Sequence, residues 1–162
     1  MMNSNNQLSE RSKKILKSAS IVFLVFGLIG FFDATYLTIE HYQGVIPPCS
    51  LTGGCETVLT SDYSSILNIP VSVLGMIYYF FVFIFAIAYI DTKKSIFLRM
   101  CASIGFFGFL ASLFFVFLQL FVIKSICFYC MISAITSTVL FSAGFLVLKH
   151  DNFLGLLFRK KI

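Results

Sequence analysis

Four stretches of the chain almost lack polar residues, and short polar segments separate them. They run over about 18–38, 71–90, 97–123 and 127–148. Each is long enough to cross a bilayer core as a helix, which takes roughly 20 mostly apolar residues. The pattern therefore predicts an all-α integral membrane protein: a four-transmembrane-helix bundle, one domain over 1–162, with its longest connection at about 40–70. The first run follows Lys13, Lys14 and Lys17, as a signal peptide would, but it exceeds a signal core of roughly 7–15 residues. It also ends in Asp33 and Glu40 rather than in a small-residue cleavage site, so it reads as a retained helix.

Pro47 and Pro48 predict the end of any helix entering the long loop. Gly53 and Gly54 predict a flexible turn between Cys49 and Cys55. Residues 56–67 carry Val58, Leu59, Ile66 and Leu67 and predict a short interfacial helix. Pro70 then opens the second span, where its missing N–H is harmless.

Composition agrees with lipid as the solvent. Of 162 residues, 59% are hydrophobic and 12% charged, against roughly 25% charged in soluble domains. The net charge of +5 does not indicate nucleic acid, because the basic residues form three clusters between apolar runs. Arg11, Lys13, Lys14 and Lys17 precede the first span. Lys93, Lys94 and Arg99 lie between the second and third, and Lys149, Arg159, Lys160 and Lys161 follow the fourth. Only Lys124 falls on the other side, and 40–70 has no Lys or Arg. By the positive-inside rule both termini face the cytoplasm and the long loop faces outward.

Four of the five cysteines then gather at the outward face. Cys49 and Cys55 lie in the loop, and Cys127 and Cys130 open the fourth span. Cys101 is excluded: 26 helical residues put it roughly 39 Å from Cys127, and a disulfide needs Cα atoms within about 7 Å. It reads as a packing residue. Disulfides persist outside the cytoplasm, so two structural staples would account for four cysteines, and four thiolates could also hold zinc. Cys-x-x-Cys spacing at Cys127-Phe128-Tyr129-Cys130 favours a redox centre, because a helix N-terminus stabilises a thiolate. Two pairs on one face suggest a relay, and a lipid-soluble quinone is the natural acceptor at that depth.

The motifs, taken in order, resemble the bacterial-type homologues of vitamin K epoxide reductase, from the first span to Leu148. They are Asp33-Ala34-Thr35-Tyr36-Leu37-Thr38 with His41-Tyr42, then Cys49 and Cys55 with Ser61 and Tyr63-Ser64. Ile69-Pro70-Val71-Ser72-Val73-Leu74-Gly75 with Tyr78 follows, and Cys127-Phe128-Tyr129-Cys130 comes last. The resemblance implies a helix bundle around a quinone, ubiquinone or menaquinone. It implies a quinone-dependent thiol–disulfide oxidoreductase in a bacterial plasma membrane. Cys49 would exchange with the partner, Cys55 would attack Cys127, and Cys130 would face the quinone. Ser61 would help to place the loop, with a turn or cap as the plainer reading. Many relatives carry a fused thioredoxin-like domain after the fourth helix; here the expected partner is a separate thioredoxin-like (DsbA-like) protein. Ala134 stands where vertebrate members have tyrosine, so quinone reduction is expected rather than epoxide chemistry. The membrane oxidases that recharge periplasmic disulfide donors are similar in chemistry, but their two cysteine pairs occur in the opposite order. Electron flow in the reverse direction, as a reductase, is the alternative that sequence leaves open.

Other polar residues complete the candidate site. An acid within a span, such as Asp33, is costly and usually functional. It could relay a proton, bind a loop N–H, or make a packing hydrogen bond. Gln119 could bond a quinone oxygen or a neighbouring helix. Tyr78 could face a cavity, and His41 reads as a solvated boundary residue. The Phe-rich run at 106–121 reads as lipid-facing and core packing.

Overall fold

The computed structural model describes residues 4–45, 47, 54–66 and 69–159. Helix α1 is Ser4–Gln43, α3 is Val71–Thr92, α4 is Ser95–Phe117 and α5 is Phe128–Arg159. A short helix α2, Cys55–Leu59, lies in the long loop. Four segments are long and apolar enough to cross a membrane: Lys13–Gln43, Val71–Thr92, Ser95–Ile123 and Phe128–Lys149. The expected all-α four-span bundle is present, with its first and last helices longer than their apolar runs. Outside lipid a helix can continue on polar residues, so apolar runs mark spans and not helix ends.

Neighbouring helices pack as a closed ring in the order α1, α3, α4, α5. Phe23, Val82, Ala86, Leu98, Cys101, Leu140 and Val147 fill its centre. Cys101 is a buried free thiol whose Sγ contacts the Val82 carbonyl at 3.6 Å, in keeping with a packing role. In lipid, helices associate by close fit rather than by escape from water. Gly144 shows this: a Cβ there would lie 2.9 Å from the Ala102 Cα, so α4 and α5 meet backbone to backbone. Much of the Phe-rich run faces outward, as expected for lipid contact. Phe107, Phe114, Phe117 and Phe121 are all exposed, whereas Phe109 stacks on Phe141 at 4.5 Å between ring centres.

Three local features refine the expected picture, the second of them a correction. Helix α1 ends before the prolines, at Gly44 with φ +66°. The Gly44 N–H reaches the His41 carbonyl and the Val45 N–H the Glu40 carbonyl, a glycine cap that satisfies the last turn. Pro48 lies outside the described residues. The interfacial helix expected over 56–67 stops at Leu59. The Thr60 hydroxyl donates to the Glu56 carbonyl at 2.7 Å and the Ser61 hydroxyl to the Val58 carbonyl at 2.7 Å. These hydroxyls take the carbonyls that further helix would use. A 3₁₀ turn at Asp62–Ser64 follows, and then a small antiparallel pair, β1 Ser65–Ile66 with β2 Ile69–Pro70. Finally, the third span reaches Ile123 as expected, but α4 does not continue to that end as an α-helix. It passes into a π-helical turn, Leu118–Ile123.

Candidate functional site

The π turn sets the first element of the site. It closes on Lys124 at φ 56°, whose N–H donates to the Gln119 carbonyl. The Ser125 N–H donates to the same carbonyl at 3.1 Å. The Gln119 side-chain oxygen then accepts the Cys127 N–H at 2.9 Å. Gln119 is buried, and its side-chain bond ties the end of the third span to the cap of α5. The Cys127 carbonyl accepts the Met131 N–H at 3.1 Å, so Cys127 stands at the cap of α5 and Cys130 lies within its first turn.

Onto this corner comes α2. Cys55 and Cys127, both fully buried, share one cluster with Val58, and Leu59, Ile123, Tyr129 and Cys130 pack around it. Gly54 permits the approach. Its φ of −98° is open to any residue, but a Cβ there would lie 2.7 Å from the Ile126 carbonyl oxygen and 2.9 Å from its nitrogen. The glycine supplies clearance, where sequence suggested flexibility. Cys55 is in a disulfide, whereas Cys127 and Cys130 are free thiols. Cys49 lies outside the described residues.

The Cys127 thiol is held down to about 7. The largest cause is a hydrogen bond from the Cys130 side chain, and the backbone N–H groups of Cys130 and Tyr129 add to it against the opposing effect of burial. The free-energy gain from these donors goes to the thiolate. The thiolate fraction should therefore rise as pH climbs through about 7, below the ordinary thiol value of about 8.5. The infrared S–H band of Cys127, assigned by difference against Cys127→Ala, reads this directly. A Cys130→Ala change removes the largest contributor and should move the midpoint up. A wild-type midpoint at or above the ordinary value would contradict the assignment.

Below the cysteines an apolar cavity of about 880 Å³ opens between the helices. Asp33, Tyr78, Gln119, Cys130 and Ala134 line it, and Ser61 lies at its loop side. Five candidates expected to contact a quinone are thus brought to one space, together with the loop serine. Cys55 and Cys127 stand behind that wall. Among the described residues, Asp33 Oδ2, Glu40 Oε2 and the Tyr78 hydroxyl are buried without a hydrogen-bond partner. All three residues line the cavity. Buried polar groups are nearly always satisfied, so these mark a place for a polar ligand. Volume, apolar walls and a few convergent polar atoms fit a quinone headgroup.

Sequence reasoning missed the supports of this cavity. The Tyr79 hydroxyl reaches the Ser133 carbonyl at 2.9 Å, the Ser133 hydroxyl at 2.8 Å and the Ser137 hydroxyl at 3.1 Å. It ties α3 to the α5 face that carries Cys130. The only hint in the sequence is spacing: Ser133, Ala134 and Ser137 follow Cys130 at three, four and seven residues, on one helical face. Gly30 and Gly108 are slots for the rings of Tyr79 and Tyr78, respectively. His41 and Glu40 also line the cavity, although His41 was expected only at the boundary.

No curated protein matches the chain. Residues 21–145 match the vitamin K epoxide reductase family, a span that takes in most of the first and fourth membrane segments, all of the second and third, the loop and both cysteine pairs. The family's chemistry is thiol–disulfide exchange linked to a quinone in a membrane, and buried thiols beside an apolar cavity are what such chemistry requires. The chain belongs to the vitamin K epoxide reductase family.

Proposed function

We propose that the protein oxidises the dithiol of a separate thioredoxin-like partner outside the cytoplasm and passes the electron pair to a membrane quinone, ubiquinone or menaquinone, supporting disulfide formation. One observation carries this reading: Cys55 and Cys127 share a buried cluster, and Cys130, packed against that cluster, lines the cavity. The site is taken to face outward from a bacterial plasma membrane, in line with the basic clusters at the opposite end of the bundle.

The exchange proceeds in balanced steps. The partner dithiol reduces the loop disulfide of Cys49 and Cys55 and leaves as a disulfide. Cys55 thiolate attacks Cys127 Sγ, the Cys127–Cys130 bond breaks, and Cys130 leaves as a thiolate. Cys49 thiolate then attacks Cys55, which re-forms the loop disulfide and releases Cys127 as a good leaving thiolate. The pair now resides on Cys127 and Cys130. A disulfide at Cys55 with free thiols at Cys127 and Cys130 is compatible with the state these steps produce. A bound quinone supplies a two-electron acceptor. Around it, Tyr78 would donate a hydrogen bond, Asp33 would exchange a proton at Oδ2, and Ala134 and the apolar walls would exclude water. Ser61 holds the turn that carries α2.

A Cys130→Ala variant tests the relay. Without Cys130, a Cys55–Cys127 bond has no resolving thiol on the α5 side. Under oxidising conditions peptide mass spectrometry should find that crosslink in most of the protein, with quinone-dependent turnover lost. Absence of the crosslink would refute the path.

A further inference from the structure

The amide of Gln119 has two ends, and among the described residues a hydrogen bond is seen at only one. Its oxygen accepts the Cys127 N–H at 2.9 Å, which fixes the amide orientation, because only the oxygen can accept. Its nitrogen therefore points away from that backbone. Among the described residues none is seen to accept from it; the residue as a whole is 3% exposed, and its nitrogen is not one of the fully buried unpartnered atoms. Gln119 lines the cavity, and an amide donor at the edge of a cavity is available to a ligand there. The residue also holds the Lys124 and Ser125 N–H groups on its main-chain carbonyl. The whole corner between the π turn and α5 thus hangs on one side chain and its peptide.

We propose that Gln119 is a positioning residue that links the cavity to the thiol pair, its oxygen fixing the backbone of Cys127 while its nitrogen donates to a carbonyl oxygen of the ligand in the cavity. The inference rests on the redox reading of Cys127, yet it is tested apart from turnover. A donor bond on one side of an amide polarises it and strengthens the acceptor on the other. Occupancy of the cavity therefore firms the cap of α5. That cap holds the N–H groups of Tyr129 and Cys130 toward the Cys127 sulfur. The other titratable groups influencing Cys127 are Cys130 on α5 and Asp33 on α1, and Cys55 on α2 is in a disulfide. Substitution of Gln119 removes none of them.

The probe is α-tetralone, a bicyclic aromatic ketone that does not oxidise thiols, with the full chain in lipid nanodiscs and Cys127 and Cys130 reduced. In wild type, the infrared carbonyl band of tetralone should move to lower frequency on binding, and the Cys127 S–H midpoint should move down. A Gln119→Met variant keeps length and bulk but has neither donor nor acceptor. There the tetralone band should stay at its unbonded position, and the Cys127 midpoint should rise by about one pH unit, toward the ordinary thiol value. A residue that merely packed would lower thermal stability without moving either signal. An unmoved Cys127 midpoint in Gln119→Met overturns the positioning role. An unmoved tetralone band or midpoint in wild type overturns the link to the cavity, even if the variant fails to fold. The Cys130→Ala crosslink contains no change at Gln119, so a failure of the relay itself is read separately.

Discussion

A Gly54→Ala variant should fold into the membrane with normal helix content and lose at least about 100-fold of its quinone-dependent dithiol oxidation. The added methyl would sit 2.7 Å from the Ile126 carbonyl oxygen, and that neighbour is backbone, which cannot swing aside. Either α2 moves out or the 124–127 corner moves, and both separate Cys55 from Cys127. Exchange needs a sulfur aligned on a disulfide at contact distance, and a misplacement of about 1 Å can cost about 100-fold. The backbone angles at Gly54 suit alanine, so local strain does not confuse the result. Turnover with a short-chain quinone and a small dithiol gives the rate. Crosslinking between Cys55 and Cys127 in a Cys130→Ala background gives the geometry. Full turnover together with normal crosslinking would show that α2 does not need this seat.

The largest loss of stability is expected from Gly30→Ala. The new Cβ would fall inside the ring of Tyr79, which is 1% exposed and tied through its hydroxyl to Ser133 and Ser137. Overpacking costs about 1–3 kcal/mol, and the displaced hydroxyl forfeits hydrogen bonds worth about 1 kcal/mol each. The variant should therefore be destabilised by about 3–5 kcal/mol in a reversible unfolding assay in detergent. Gly75→Ala is the matched comparison. It is also a helical glycine, but the nearest atom to its Cβ is that of Ala34 at 3.6 Å. Its better helix propensity should leave stability unchanged or higher by about 0.5–1 kcal/mol. Equal losses at the two positions would mean that Gly30 is not a slot for the tyrosine.

These two glycines show where sequence reasoning stops. The spans were legible because a bilayer imposes length and apolarity on each helix separately. The cysteine pairs were legible because their spacing and their place between spans are local properties. Gly54 and Gly30 are different, since each is required by an atom of another segment: Ile126 in one case and Tyr79 in the other. Nothing within a few residues of either records that demand. The cap that ends α1 went unread for a smaller reason. Pro47 forbids a helix, but Gly44 had already ended it with a cap. The helix expected over 56–67 failed because Thr60 and Ser61 could bind their own backbone, a competition that apolar spacing does not register. Gln119 was recognised as a polar residue in a span, but the π turn that aims it at Cys127 has no sequence signature.

The placement of both thiol pairs at one end of the bundle has an energetic consequence. Cys55 lies in the connection between α1 and α3, and Cys127 in the connection between α4 and α5, so both are at the same membrane face. A charge carried across the whole bilayer would feel about 2.3 kcal/mol for each 100 mV of transmembrane voltage. Electrons moving from Cys55 through Cys127 to the adjoining cavity cross little of that field. The membrane voltage should neither drive nor stall the exchange, and its rate should persist in de-energised vesicles. The direction of flow is then governed by the reduction potentials of the two end partners, whichever way the bundle is inserted.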